Sequence, residues 1–504
     1  MKSAGKIFSL VAIAILVSFA PPPADAQTRV SIGVTETMET YNPYGDSVSL
    51  LYGIWCQVMG CLGTYNFHKG DYEGMLAERW EVKDPNTWLF YLRKDIRWHH
   101  GQPFTAADVV HSFNRVRTDP QSKQQQNIAP IAKAEAVDMY TVRFVTKEPT
   151  APLIEYLFDR FIITNKDIYE KHGADADRKY PIGAGPYRFK ELIPGQRFVI
   201  AKNNDFPGMK AKKQAPDEMI FRVMREPEQR VTALLNNEIQ IAQFIPPHLR
   251  KRVESSPNAK IVTTDSVEIM FLAMQPKPPF DKKEVRQAVG YAIDRDRIIN
   301  TLLEGMASRL DGPIGPGQYG YDPNLQPKYK YDPEKARALL KQAGYPNGVD
   351  AELFTPVGRY TLDKQLMEAI VPMLNAAGIR AKLLTPEWPT LWANVQAGKV
   401  PFYYMGRGSV VDPSVALAQY FETGGSPRIG YSNPKFDKLL AQERHTFEAA
   451  KRRKVLSEAM SLLTDEAPAH FLWRHKMLYG IAKNIDYKPT PSGRIFGEDI
   501  RVLR

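Results

Sequence analysis

The segment "LAERWEVKDPNTWLFYLRKDIRWHHGQPFTAADVVHSF" (residues 76–113) passes from two strands through a turn into a helix start. Apolar and polar residues alternate through residues 75–98 around Asp84-Pro85-Asn86, the pattern of two strands joined by a tight turn. Gly101-Gln102-Pro103 closes the strand region. Thr105, followed three residues later by Asp108, forms a capping box and predicts a helix from about Ala106. On that helix Val109, Val110, Phe113 and Val116 fall within one arc of about 120°, the apolar stripe of a core-facing helix. His111 lies roughly 200° from Val109 and is expected on the opposite, solvated face. His99 and His100 are expected in a solvated turn. Three of the nine histidines therefore crowd into this segment, which raises the question of a metal site or a catalytic base. A zinc site on a helix wants two histidines at i and i+4, as in H-E-x-x-H, and the chain has no such motif. The expectation is that these histidines bind no metal.

The same mixture of strands and helices extends in both directions. Val30 to Gly33 reads as a short strand leading into the loop-rich "TETMETYNPYG" (35–45). "YPIGAGPYRFKELIPGQRFVIAKN" (180–203) is a second strand–turn–strand, turning at Pro194-Gly195. Farther along, Asp281 and Glu284 box the start of one helix, "KKEVRQAVGYAIDRDRIINTLLEG" (282–305). Asp332 caps another that has Pro333 at its first position and Gly344 past its end, and Asn433-Pro434 opens a third. Gly315, Gly317 and Gly320 spell a literal G-x-G-x-x-G, but Pro313 and Pro316 interrupt it and no strand precedes it, so it reads as a Pro/Gly loop. No repeat period is present. The class is α/β or α+β, in at least two lobes, because single cores rarely grow beyond about 250–300 residues.

The N-terminus bounds location. Lys2 and Lys6, the apolar run "IFSLVAIAILVSFA" and Ala24-Asp25-Ala26 have the order of a cleavable signal peptide. The apolar run is too short to span a bilayer, which takes roughly 20 residues. The mature chain is expected to begin at Gln27, exported and soluble in a periplasm; an uncleaved anchor is the alternative. The formal net charge of +11 falls to +10 when two lysines and one aspartate leave with the signal. The basic residues are scattered in short groups with acids between them, which argues against a nucleic-acid partner. Cys56 and Cys61 are the only cysteines. In one unbroken helix their Cα atoms would stand about 8–9 Å apart, too far for a bridge; a break at Gly60 would bring them together. Both states are open. No nucleophile elbow, phosphate loop or zinc motif appears, and no catalytic residue is assigned.

Several segments together resemble the family 5 extracellular solute-binding proteins, the peptide- and nickel-type receptors of ABC importers. They are residues 76–113 quoted above, "PIGAGPYRF" (181–189), "PFDKKEVRQAVGYAIDRDRI" (279–298), "YDPEKARALLKQAGYPNG" (331–348) and "YSNPKFDKLL" (431–440). The resemblance runs in order from about residue 30 to 480. It implies a two-lobed clamshell with a buried ligand and an extra subdomain inserted in the N-terminal lobe. Residues 27–272 and 483–504 would form lobe I, with the inserted subdomain at about 48–182. Residues 273–482 would form lobe II, and the chain would cross near 270–276 and 478–484. The implied protein is a monomeric periplasmic receptor, without cofactor or metal, serving membrane permease subunits. The alternatives are a receptor for a non-peptide solute, a secreted hydrolase, and a periplasmic chaperone or adaptor.

Two ligand positions follow from the resemblance. Peptide-binding members pair the peptide carboxylate with an Arg in a "PVxR" stretch, matched here by Pro356-Val357-Gly358-Arg359; a guanidinium fork bonds both carboxylate oxygens. The same members hold the peptide α-amino group with an Asp four residues before the Pro of an Asp/Glu-Pro pair. In "YYMGRGSVVDPSV" (403–415) that position is Ser409, which carries no charge, with Arg407 close by. This departure implies an acidic or amine-blocked solute, opine-like or a modified peptide, in place of a plain dipeptide. Asp412, Tyr404 and Glu36 complete the candidate ligand-contacting set, Asp412 with helix capping as its alternative role.

Overall fold

The protein is described by a computed structural model covering residues 28–503 apart from 37, 39, 40, 46–48, 121, 159, 409 and 410. The expected signal peptide and Ser409 lie outside the described residues. Among these, twelve strands join into one sheet, and a separate four-stranded sheet, Ala77–Asp84, Thr87–Leu92, Thr141–Thr146 and Ile131–Asp138, forms within the N-terminal half. The strand pairs expected on either side of Asp84-Pro85-Asn86 and Pro194-Gly195 are present and antiparallel.

One strand organises the large sheet. Ala469–Ala482 runs unbroken, its first part paired with Ile269–Met274 and its second with Ala259–Asp265. Arg29–Val34 lies parallel to Glu218–Val223 and to Ile241–Ala242, which connects it to the long strand. On the other side, Ile269–Met274 pairs with Phe402–Arg407, and that strand lies parallel to Val349–Phe354. The two wings of the sheet have separate cores. Trp55, Phe104, Ile200 and Ile481 belong to the first, and Leu272, Leu366, Tyr404 and Trp473 to one of those on the second. The result is a two-lobed α/β fold in which two chain segments, residues 266–268 and 474–476, pass between the lobes. Ser266 N–H donates to His475 O at 2.8 Å where they lie side by side. No described helix is long and apolar enough to cross a membrane.

The expected crossovers at 270–276 and 478–484 fall largely within the strands Ile269–Met274 and Ala469–Ala482. "MFLAM" sits inside Ile269–Met274, whose six residues are all buried. Apolar composition alone cannot separate a linking strand from a core strand. The single helix expected over 282–305 is two, Lys283–Ala292 and Arg295–Thr301. Asp294 accepts from Arg297 N–H and caps the second, while Ile293 is extended, so the cap wins locally over helix continuation. Lys282, not Asp281, precedes the first helix. The helices capped by Asp332 and Asn433 form as expected.

The opening segment needs a correction. Thr105 and Asp108 do start the helix Ala106–Thr118, but two of its histidine neighbours are not solvated. Nε2–H of His99 donates to Gly185 O at 3.0 Å, and its Nδ1 accepts from Gly183 N–H at 3.2 Å. That ring bolts residues 98–101 to the "PIGAGPYRF" turn. Glycines are required in the turn because a side chain at Gly183 or Gly185 would collide with the carbonyls of Val58 and Gln57. His111 packs against Tyr169, their ring centroids 4.9 Å apart, because Lys166–His172 covers the face that periodicity assigns to water. Cys56 and Cys61 form a disulfide with Cα atoms 5.1 Å apart. The helix Ser49–Val58 stops short of Cys61, and Gly60, with φ +103°, turns the chain back.

Burial pushes the imidazoles of His99 and His111 down to about 4 from the ordinary 6.5. Between those values the unfolded chain holds more protons at these rings than the folded chain, so stability falls as pH falls from 6.5 toward 4. Urea unfolding across that interval should show a shallower pH dependence in His99→Gln than in the parent. An unchanged slope would mean that the ring titrates freely.

Candidate functional site

A cavity of about 940 Å³ lies where the two lobes and both crossing segments meet. Glu36, Phe244, Pro491 and Ser492 line it from the first lobe, and Arg359, Tyr360, Glu304 and Gly408 from the second. The crossing segments contribute Glu268, His475 and Lys476.

Arg359 is held there by a buried carboxylate. Asp363, at the start of the helix Asp363–Ala376, accepts the backbone N–H groups of Gly358, Arg359 and Tyr360 at 3.0, 2.9 and 3.0 Å. The loop therefore wraps around Asp363 and pushes the arginine outward. Its guanidinium carbon lies 4.9 Å from the ring centroid of Tyr360 and 5.4 Å from that of Trp388, which braces the charge without neutralising it. Glu36 follows the first strand and accepts from Thr35 Oγ1 at 2.8 Å.

Three other candidates do not border this cavity. Tyr404 is buried in the core of the second lobe, between Tyr360 and Trp473. Arg407 turns into that lobe, donating to Gly408 O and Gln419 Oε1 at 3.1 Å each, its guanidinium over Tyr420. Asp412 is 2% exposed, caps the helix Pro413–Phe421 through Ser414 N–H, and pairs with Arg452 at 2.7 Å. Arg452 also pairs with Glu443, which accepts from Ser414 Oγ at 2.8 Å. Asp412 is therefore a structural member of a buried charge cluster. Of the six sequence candidates, the structure brings together Arg359 and Glu36; Ser409 is outside the described residues.

Sequence reasoning passed over Glu268. It stands immediately before the apolar strand Ile269–Met274, and the signal was an acid at the head of a wholly apolar run. Burial holds its carboxyl above the usual carboxylate range, and the charge of Arg359 opposes that shift. Glu268 Oε1 lies 3.1 Å from the point a Cβ on Gly406 would occupy, beside the Tyr360 ring. His475 itself adds no charge to the cavity wall near neutral pH, because burial pushes its imidazole down to about 4. The arrangement offers fixed charges of both signs around a space of the size that small ligands occupy.

Residues 71–428 match the bacterial extracellular solute-binding proteins, family 5 Middle. The dipeptide-binding protein of Escherichia coli (strain K12) is 29% identical over 465 residues, covering 85% of this chain and 85% of that protein. The glutathione-binding protein GsiB of Pectobacterium atrosepticum is 27% identical over 493 residues, 94% of each. Among solved structures, HbpA2 from Haemophilus parasuis shares the fold with a TM-score of 0.86. That match covers 94% of this chain and 100% of that one at 22% identity.

The different placements of Asp412 and Arg359 predict different phenotypes. Asp412→Ala leaves Arg452 short of one buried partner and should cost about 3–5 kcal/mol in denaturant unfolding. Arg359→Ala, at an exposed position, should stay within about 0.5 kcal/mol. Equal stability of the two variants would contradict the assignment of Asp412 to the buried cluster.

Proposed function

The chain belongs to the bacterial extracellular solute-binding proteins of family 5, and on that premise we propose that it captures a peptide or peptide-like solute between its lobes. It then delivers that solute to the permease subunits of an inner-membrane ABC importer. The observation that carries this reading is the cavity of about 940 Å³ walled by both lobes, with Arg359 in its wall. A solute seated there touches both lobes at once. Its binding energy then favours the arrangement in which the lobes grip it, and a permease can read that arrangement as the loaded state. Dipeptides and glutathione, named for the two relatives, carry terminal carboxylates of the kind a guanidinium binds through both oxygens.

The protein acts in the periplasm as a monomer, its signal peptide removed after Ala26, and it binds without turnover. The site uses no cofactor.

Native mass spectrometry of protein purified from its own periplasm should find a bound small molecule released on denaturation. With that molecule, Arg359→Ala should weaken binding by roughly two decades or more, because removal of one member of a ligand ion pair leaves the other charge desolvated. Small-angle scattering should give a smaller radius of gyration for the loaded protein. Unaltered affinity in Arg359→Ala together with an unchanged scattering profile at saturation would defeat the reading.

A further inference from the structure

We propose that Glu268 holds a free ammonium group of the solute, so that the site selects ligands bearing a primary ammonium together with a carboxylate. This rests on the peptide-receptor reading above and reverses the expectation drawn from Ser409. The position of its carboxylate carries it. Glu268 directly precedes Ile269, whose partner in the antiparallel ladder is Arg407, and Glu268 Oε1 lies 3.1 Å from the point a Cβ on Gly406 would occupy. The resemblance implies an aspartate at residue 409, which is a serine in this sequence.

The surroundings of Glu268 suit this role. It lines the cavity and is partly buried. Among the described residues its carboxylate has no ion-pair partner within 4.0 Å. A partly buried carboxylate without a partner is costly, and a ligand ammonium offsets that cost. Arg359 acts on it through space, yet the guanidinium is braced over Tyr360 and Trp388 without contacting it. The absent side chain of Gly406 leaves room for the Tyr360 ring and the Glu268 carboxylate; a Cβ there would fall 2.8 Å from Tyr360 Cε1 and 3.1 Å from Glu268 Oε1. Glu36 and Glu304 add carboxylates to the same cavity, against Lys476 as the further fixed cation. The lining therefore favours a zwitterionic or cationic solute over an anionic one.

The test is a competition. A peptone of short peptides is divided, one half is N-acetylated, and the two halves are offered together to the purified protein. Captured species are identified by mass spectrometry, and the best free-amine binder is titrated calorimetrically beside its acetylated twin. The parent protein should capture free-amine members, with acetylation weakening binding about 100-fold or more. Glu268→Gln should shrink that gap below about tenfold, while Glu268→Asp should retain part of it, and Glu268→Gln should unfold at or above the parent's midpoint because it removes an unpaired, partly buried charge. Equal capture of both halves by the parent, or a gap unchanged in Glu268→Gln, overturns the role of Glu268 and leaves the peptide reading standing. Capture of neither half overturns the peptide reading and this inference with it.

Discussion

The backbone pairing of one long strand with two successive partners underlies the rest of this molecule. Ala469–Ala482 gives its first residues to Ile269–Met274 and its last to Ala259–Asp265. Because its N–H and C=O groups are satisfied in both lobes, neither lobe can detach, yet few residues cross between them. The hydrogen bond from Ser266 to His475 O keeps the two crossing segments together. Glu268 and Lys476 on these segments line the cavity between the lobes. Position at the crossing, more than residue type, makes Glu268 and Lys476 part of the site.

Charge is handled in two different ways within the second lobe. In the Asp412–Arg452–Glu443 cluster the carboxylates and the guanidinium satisfy one another, with Ser414 completing the bonding. Such a cluster has little left to offer a ligand and much to lose when one member is removed. Around the cavity the opposite holds. Asp363 spends its carboxylate on backbone N–H groups and thereby fixes the Arg359 loop, while the guanidinium itself stays without an anionic contact among the described residues. Satisfied charges build the lobe, and unsatisfied ones face the cavity.

The family resemblance and the geometry both point to the end of the strand Phe402–Arg407. The resemblance directs attention to a missing aspartate and suggests an amine-blocked solute. The ladder from Ile269 to Arg407 brings an acid from another part of the chain to that strand end. On the proposal that Glu268 holds an ammonium, the acid comes from a neighbouring segment, a change that motif matching along one segment does not register.

Local elements were legible because their causes are local. The turns at Asp84-Pro85-Asn86 and Pro194-Gly195, the Thr105/Asp108 start and the caps at Asp332 and Asn433 depend on residues within a few positions of one another. At least two lobes followed from chain length, while the clamshell arrangement and the choice of Arg359 as a ligand position came through resemblance, in which many segments agree in order. What the tertiary structure alone decided depends on partners distant in the chain. His99 looked solvated until residues 183–185 closed on it, and His111 until Lys166–His172 covered it. Asp412 was a ligand candidate until Arg452 and Glu443 enclosed it. Glu268 was marked in sequence only as an acid ahead of an apolar run, and its place in the cavity wall depends on the lobes that meet around it. Hydrophobic periodicity reports which face of an element is apolar, whereas burial of a polar side chain is set by whatever packs against it from elsewhere in the chain.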